Sequence, residues 1–155
     1  MSSSANIILK MTLAKVNGNG KDNFLIKKKI KGEIMEKHII EVNEISVAVI
    51  HSDEPIITDT QSALDFMATI RFDDNCERIV INKEAIIEDF FKLSTGIAGE
   101  IIQKFVNYSQ KIAVVGDFSI YKSKPLRDFI YECNQGNAIY FVPDKQTAID
   151  KLTMV

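Results

Sequence analysis

The sequence predicts a single α/β domain: a mostly parallel sheet with an N-terminal β-hairpin and helical crossovers. Three observations predict it. The runs around Ile79-Val80-Ile81 and Ile112-Ala113-Val114-Val115 are apolar throughout and too short for helices, as strands buried on both faces are. Segments with helical apolar spacing alternate with them, the pattern of successive βα units. The length of 155 residues, 46% of them apolar and 26% charged, suits one globular domain and excludes a disordered or collagen-like chain.

Each element has its own justification. His38–Val42 and Ser46–His51 are β-branched runs around Asn43-Glu44, which reads as a hairpin. Thr58 stands three residues before Gln61, a capping-box spacing. The helix from Asp59 to about Phe72 then puts Ala63, Leu64, Met67, Ala68 and Phe72 on one face. Cys76–Asn82 is a strand. A helix from about Thr95 to Ser109 follows, with Ala98, Ile101, Ile102, Phe105 and Val106 as its buried stripe. Gly96 and Gly99 lie in its first turns, where a missing side chain permits close backbone approach. Lys111–Gly116 is the next strand. Ser123 caps a helix that carries Pro125 in its first turn and stops at Gly136, with Leu126, Phe129, Ile130 and Cys133 inward. Asn137–Val142 is the last strand, and Asp144 caps a final helix through Leu152.

Charge divides the chain. Residues 1–34 hold seven lysines against Asp22 and Glu33, so the total of −2 splits into +5 there and −7 in the rest. This stretch, with Ser2-Ser3-Ser4, Asn17-Gly18-Asn19-Gly20 and Lys27-Lys28-Lys29, sustains no period. It reads as a disordered basic extension, or as a short hairpin turning at Asn17-Gly18. Lys31-Gly32-Glu33-Ile34-Met35 can be encoded AAA-GGA-GAA-ATA-ATG, which places a purine-rich AGGAG about five nucleotides before the ATG. That is the usual layout of a bacterial ribosome-binding site. We therefore expect a mis-assigned start, with the domain occupying residues 35–155. An acidic body repels phosphate backbones, so nucleic-acid binding would rest on residues 1–34 alone.

The two cysteines, Cys76 and Cys133, form no CxxC, and with His38 and His51 they make no metal-ligand spacing. No metal or cofactor is expected. Two free thiols suit a reducing cytosol, and no apolar run is long enough to cross a membrane. The expected location is cytoplasmic.

The stretches Ser52–Thr69, Asn82–Phe118 and Ser123–Val142 resemble a bacterial family known as domain of unknown function 4180, over roughly residues 36–152. That family implies no established activity, substrate or cofactor. A more distant resemblance is to the STAS domains, the fold of the anti-sigma factor antagonists. It implies the same order of elements and action by binding a partner protein. In STAS domains a loop at a helix N-terminus presents a phosphorylatable Ser or Thr, usually followed by Gly. Leu93-Ser94-Thr95-Gly96 stands at the equivalent place, so the resemblance puts the regulatory hydroxyl at Ser94 or Thr95. The Asp that usually precedes the hydroxyl pair is absent, and Phe90-Phe91-Lys92 stands there instead.

Two sets of candidate residues follow. Ser94, Thr95 and Gly96, with Phe90 and Phe91, would form a phosphorylation and partner surface if the aromatics are exposed. The bland reading is a helix cap above a buried aromatic pair. Lys83, Glu84 and Asp117, at the carboxyl ends of strands, could gather with Arg127 into an anion-binding or acid–base cluster, since ligands of parallel sheets sit there. The bland reading is local pairing and turn fixing. Asp128 and Glu132, one helical turn apart, read as solvated. Neither a phosphate-binding glycine loop nor a nucleophile elbow is present. The leading expectation is a non-enzymatic protein-binding module with no assigned catalytic residue. The other is a small enzyme or ligand-binding protein using the strand-end cluster.

Overall fold

The alternating strand and helix signals are realised as one sheet of seven strands whose spatial order is the chain order. The computed structural model describes residues 7–14, 23–30 and 33–154, with side chains from Met35 to Met154. The strands are β1 (Ile7–Ala14), β2 (Asn23–Ile30), β3 (Glu33–Val42), β4 (Ile45–Ser52), β5 (Arg78–Asn82), β6 (Lys111–Val115) and β7 (Ile139–Val142). The helices are α1 (Thr60–Asp74), α2 (Ile97–Asn107), α3 (Lys124–Gln135) and α4 (Lys145–Thr153). β3 and β4 form the expected antiparallel hairpin. Asn43 and Glu44 both have positive φ, 52° and 68°, as a two-residue turn matched to strand twist requires. From β4 to β7 every pairing is parallel.

Because consecutive strands are neighbours, crossovers of one hand bring α1, α2 and α3 over the same face. Alternate strand residues feed the two cores. Ala48, Ile50, Ile79, Ile81, Ile112 and Val114 pack under α1–α3. Val47, Val49, Val80 and Ala113 pack against Ala148, Ile149 and Leu152 of α4. Two covered faces explain why the middles of these strands are apolar at successive positions.

Ile7–Ala14 and Asn23–Ile30 fall in the stretch for which a disordered extension or a short hairpin is expected. They pair antiparallel, from Ile7 opposite Ile30 to Ala14 opposite Asn23, and β2 adds to the outer side of β3. Each is eight residues long and apolar apart from its lysines and a few polar residues, enough to continue a ladder once β3 offers an edge. The Asn17-Gly18 turn lies outside the described residues.

Local details correct several expectations. The α1 cap is Asp59, not Thr58: its carboxylate accepts from the Ser62 N–H at 2.8 Å, and Ser62 Oγ accepts from the Asp59 N–H at 3.0 Å. Ala63, Met67 and Ile70 form the buried stripe, leaving Phe72 in solvent. α2 begins at Ile97, with Gly96 as its N-cap at φ +77°. Its stripe is Ala98, Ile101 and Phe105, and Val106 is exposed. A Cβ at Gly99 would meet nothing within 4 Å, so no close approach requires that glycine.

Two polar links tie strands to helices. Lys37 Nζ of β3 meets both carboxylate oxygens of Asp74, the last residue of α1, at 2.9 and 2.7 Å. At the β7 edge Asn134 of α3 accepts from the Phe141 N–H at 2.7 Å and donates to its carbonyl at 3.1 Å. The side chain thus occupies the outward backbone groups of β7, a device that blunts an open sheet edge.

Candidate functional site

The carboxyl ends of β4, β5 and β6 meet at one rim, as a parallel sheet dictates. Asn82 bridges two of them: its side chain accepts from the Ser52 N–H at 2.9 Å and donates to the Ser52 carbonyl at 2.7 Å. It also donates to Glu84 Oε1 at 3.1 Å. Lys83 folds over Gly116, where a Cβ would lie 2.8 Å from the lysine Cβ. Its ammonium reaches Glu88 Oε1 at 3.3 Å and sits 5.4 and 5.2 Å from the ring centres of Phe91 and Tyr121. Tyr121 stacks on Phe91 with centres 5.0 Å apart and donates to Glu88 Oε2 at 2.8 Å. Burial pushes the Tyr121 phenol up to about 12. Burial pulls the Lys83 ammonium down, but hydrogen bonding to Tyr121 and Glu88 outweighs it, and its pKa rises. Neither group is moved toward neutrality, where acid–base work would need it.

Asp117 is near enough to Lys83 to feel its charge, but among the described residues no side-chain hydrogen bond or ion pair joins Lys83 to Glu84, Asp117 or Arg127. Asp117 is exposed and accepts from Ser119 Oγ at 2.6 Å and from its N–H at 3.0 Å. These bonds hold its carboxyl below the usual range and fix the turn after β6. Glu84 is exposed apart from its bond to Asn82. Arg127 stands exposed on α3, and no hydrogen bond or ion pair among the described residues ties its side chain to Lys83, Glu84 or Asp117. Asp128 pairs with Lys124 at 2.7 Å on the outer face of α3, and Glu132 is exposed there.

Phe90 and Phe91 are buried in the main core, with ring centres 5.0 Å apart and Phe141 6.2 Å from each. They are unavailable to a partner, because the single turn Glu88–Phe91 directs them inward, Phe91 onto Phe118, Tyr121 and Phe141. Thr95 directs its hydroxyl at the carbonyls of Lys92, 2.8 Å, and Asp89, 2.9 Å, and accepts weakly from the Ile97 N–H. It ties a turn and does not cap α2, a role that falls to Gly96. Ser94 is exposed.

A different site is assembled where α1 and α2 end. Leu64, Met67, Ala68, Phe72, Tyr108 and Gln110 border a crevice of about 310 Å³, with Asp65 and Arg71 completing its lining. Phe72 is 80% exposed and Tyr108 52%, so aromatic surface stands on its rim. Gln110 is only 2% exposed and donates through Nε2 to the Met67 carbonyl at 3.0 Å. Arg71 donates through Nη2 to the Tyr108 carbonyl and lies 3.7 Å from Glu77. Sequence reading missed this site because its halves are some forty positions apart. The one local signal was Phe72 extending the α1 face beyond what one neighbouring helix could cover.

Among the described residues, no group of three or more His, Cys, Asp or Glu is placed to hold a metal ion, and no helix is long and apolar enough to cross a membrane. The thiols of Cys76 and Cys133 are both free, and burial pushes each up to about 11. The family model described as Domain of unknown function (DUF4180) matches residues 42–152. No curated protein and no solved structure gives a significant match, so the STAS likeness rests on the sequence alone.

Proposed function

The chain belongs to the DUF4180 family, whose description names no activity, and from that premise we propose that it is a non-enzymatic protein-binding module of the cytosol that recognises its partner through the ends of α1 and α2. The observation that carries this reading is the pairing of two exposed aromatics, Phe72 and Tyr108, on the rim of one apolar crevice. Exposed apolar surface around a concavity is what partner docking uses. The STAS likeness points to the same class of function, since those domains commonly bind a partner protein. The burial of Phe90 and Phe91 moves the surface away from Lys92–Gly99. The strand-end alternative has less to work with. The depression at that rim, beside Asn82 and Lys145, measures about 130 Å³, below the ~300 Å³ of ordinary ligand pockets, and Asp117 is not part of it.

Immobilised protein in host extract tests the reading, using wild type and the variants Phe72→Ala, Tyr108→Ala and Ser94→Ala, each checked for folding by circular dichroism. A captured protein should be retained by wild type and Ser94→Ala and lost by the two aromatic variants. Binding should then be reproduced with the purified partner. Loss on Ser94→Ala with retention by the aromatic variants would return the surface to the α2 N-terminus.

A further inference from the structure

The two edges of the sheet are finished differently. At β7 the Asn134 side chain takes up the N–H and carbonyl of Phe141. At the opposite edge stands β1, and among the described residues no strand pairs with its outer side. All eight of its residues, Ile7–Ala14, are in register with β2. An antiparallel strand turns only half of its N–H and C=O groups toward one neighbour, so the other half of those of β1 point outward. Backbone groups of this kind are strong donors and acceptors. Natural edges are commonly blunted by proline, by bulges or by several charges. β1 contains no proline, its register runs without a bulge, and Lys10 is its one charged residue.

We propose that β1 is a self-association edge, to which a second copy of this chain adds its own β1 in antiparallel fashion. Two seven-stranded sheets then become one continuous sheet. The order of residues along the strand favours a second copy. Residues opposed across a ladder share a sheet face, so a two-fold axis normal to the sheet must pass through a residue of β1 rather than between two. The two registers that use most of the strand are centred on Lys10 and on Met11. The first sets lysine against lysine, which destabilises a ladder. The second sets Lys10 against Thr12, Leu9 against Leu13, Ile8 against Ala14 and Met11 against itself, so charge meets no like charge and leucine meets leucine. Charge therefore selects the register centred on Met11. With the β7 edge occupied by Asn134, the assembly closes at two copies and does not extend into a fibre.

The test uses the full chain at physiological salt. Sedimentation equilibrium should show reversible, concentration-dependent formation of a species of twice the 17.5 kDa chain mass. Thr12→Lys, which sets a second charge against Lys10 of the other copy, should weaken the dimer about fivefold or more, and Thr12→Glu should tighten it by a similar factor. Within its own chain residue 12 stands opposite Leu25, so neither variant opposes a charge there, and circular dichroism checks that both fold. Met11→Cys should link the copies by a disulfide on air oxidation beyond any wild-type background, because directly opposed Cα atoms lie about 4.5–5.5 Å apart, within disulfide reach. Leu9→Cys should not, since its two copies would stand four positions apart along the ladder, about 14 Å. A wild type that is monomeric at every concentration would overturn the proposal. So would equal association of Thr12→Lys and Thr12→Glu, or linkage of Leu9→Cys in preference to Met11→Cys.

Discussion

Lys37 of β3 and Asp74 join the sheet to the end of α1, and removing one without the other should cost a large fraction of the domain's stability. Their side chains are 11% and 8% exposed, and Nζ lies 2.7 Å from Oδ2. At an effective dielectric of about 20, two unit charges at that distance attract by about 6 kcal/mol. Desolvating two ions offsets most of this, so the intact pair contributes little net stability. The single variants behave differently. Lys37→Met leaves the Asp74 carboxylate buried at the negative end of the α1 dipole, and Asp74→Leu leaves a buried ammonium. Each should lose about 3–5 kcal/mol, against the ~5–15 kcal/mol that a domain of this kind possesses. Lys37→Met combined with Asp74→Leu restores an apolar contact and should fall within about 1–2 kcal/mol of wild type. Urea unfolding followed by circular dichroism at pH 7 gives all three values and the coupling energy of the cycle. Single-variant losses below ~1 kcal/mol, the range of exposed pairs, would refute the burial argument.

Four further outcomes follow from the geometry. Gly116→Ala should destabilise by about 1–3 kcal/mol in a thermal melt, because the new methyl meets Lys83 Cβ at 2.8 Å, whereas Gly99→Ala, with open space in a helix, should stabilise by about 0.5–1 kcal/mol. Asn134→Ala strips the pairing from the Phe141 backbone and should lower stability by about 1–3 kcal/mol; size-exclusion chromatography should show concentration-dependent self-association through the freed β7 edge. Cys76 and Cys133, raised to about 11 by burial, should alkylate slowly at pH 8 in the folded protein and rapidly in urea; equal rates would contradict their burial. The carboxyls of Asp59, Asp117 and Asp144 are lowered below 3.8 by bonds that exist only in the folded chain. Their contribution is therefore full above the unfolded value and lost as pH falls through the folded one, so the melting temperature should drop on acidification below about pH 4.

The sheet was legible because its grammar is local. Ile79-Val80-Ile81 cannot satisfy a one-sided surface, so two covered faces follow from three residues, and the structure supplies both cores. The hairpin at Asn43-Glu44 and the caps at Ser123 and Asp144 are equally local, and they stand where the sequence places them. Errors arose where two neighbouring residues compete for one role. Thr58 and Asp59 both fit a cap, and the carboxylate takes it because Ser62 answers from the N3 position. Thr95 and Gly96 both fit the start of α2, and the glycine takes it because the chain must enter at φ +77°, which a β-branched residue resists.

The crevice between α1 and α2 was illegible for a different reason, and the reason bears on where candidate surfaces are to be sought. Polar residues at strand ends draw attention in a parallel sheet, yet here they are consumed in holding the sheet together: Asn82 clamps β4 to β5, and Lys83 and Glu88 lock onto Tyr121. A group already committed to such bonds has little left to offer a ligand. Two uncommitted atoms belong instead to Arg71 and Gln110 beside α1, where Gln110, just before β6, bonds the Met67 carbonyl some forty positions earlier. No periodicity or motif marks such a juxtaposition, because α1 and α2 each read as ordinary amphipathic helices. What marks it is accounting in three dimensions: the Phe72 ring exposed where core was expected, beside the exposed Tyr108 and buried polar atoms with nothing to bond. In a family whose description names no activity, that imbalance gives the firmer direction for experiment.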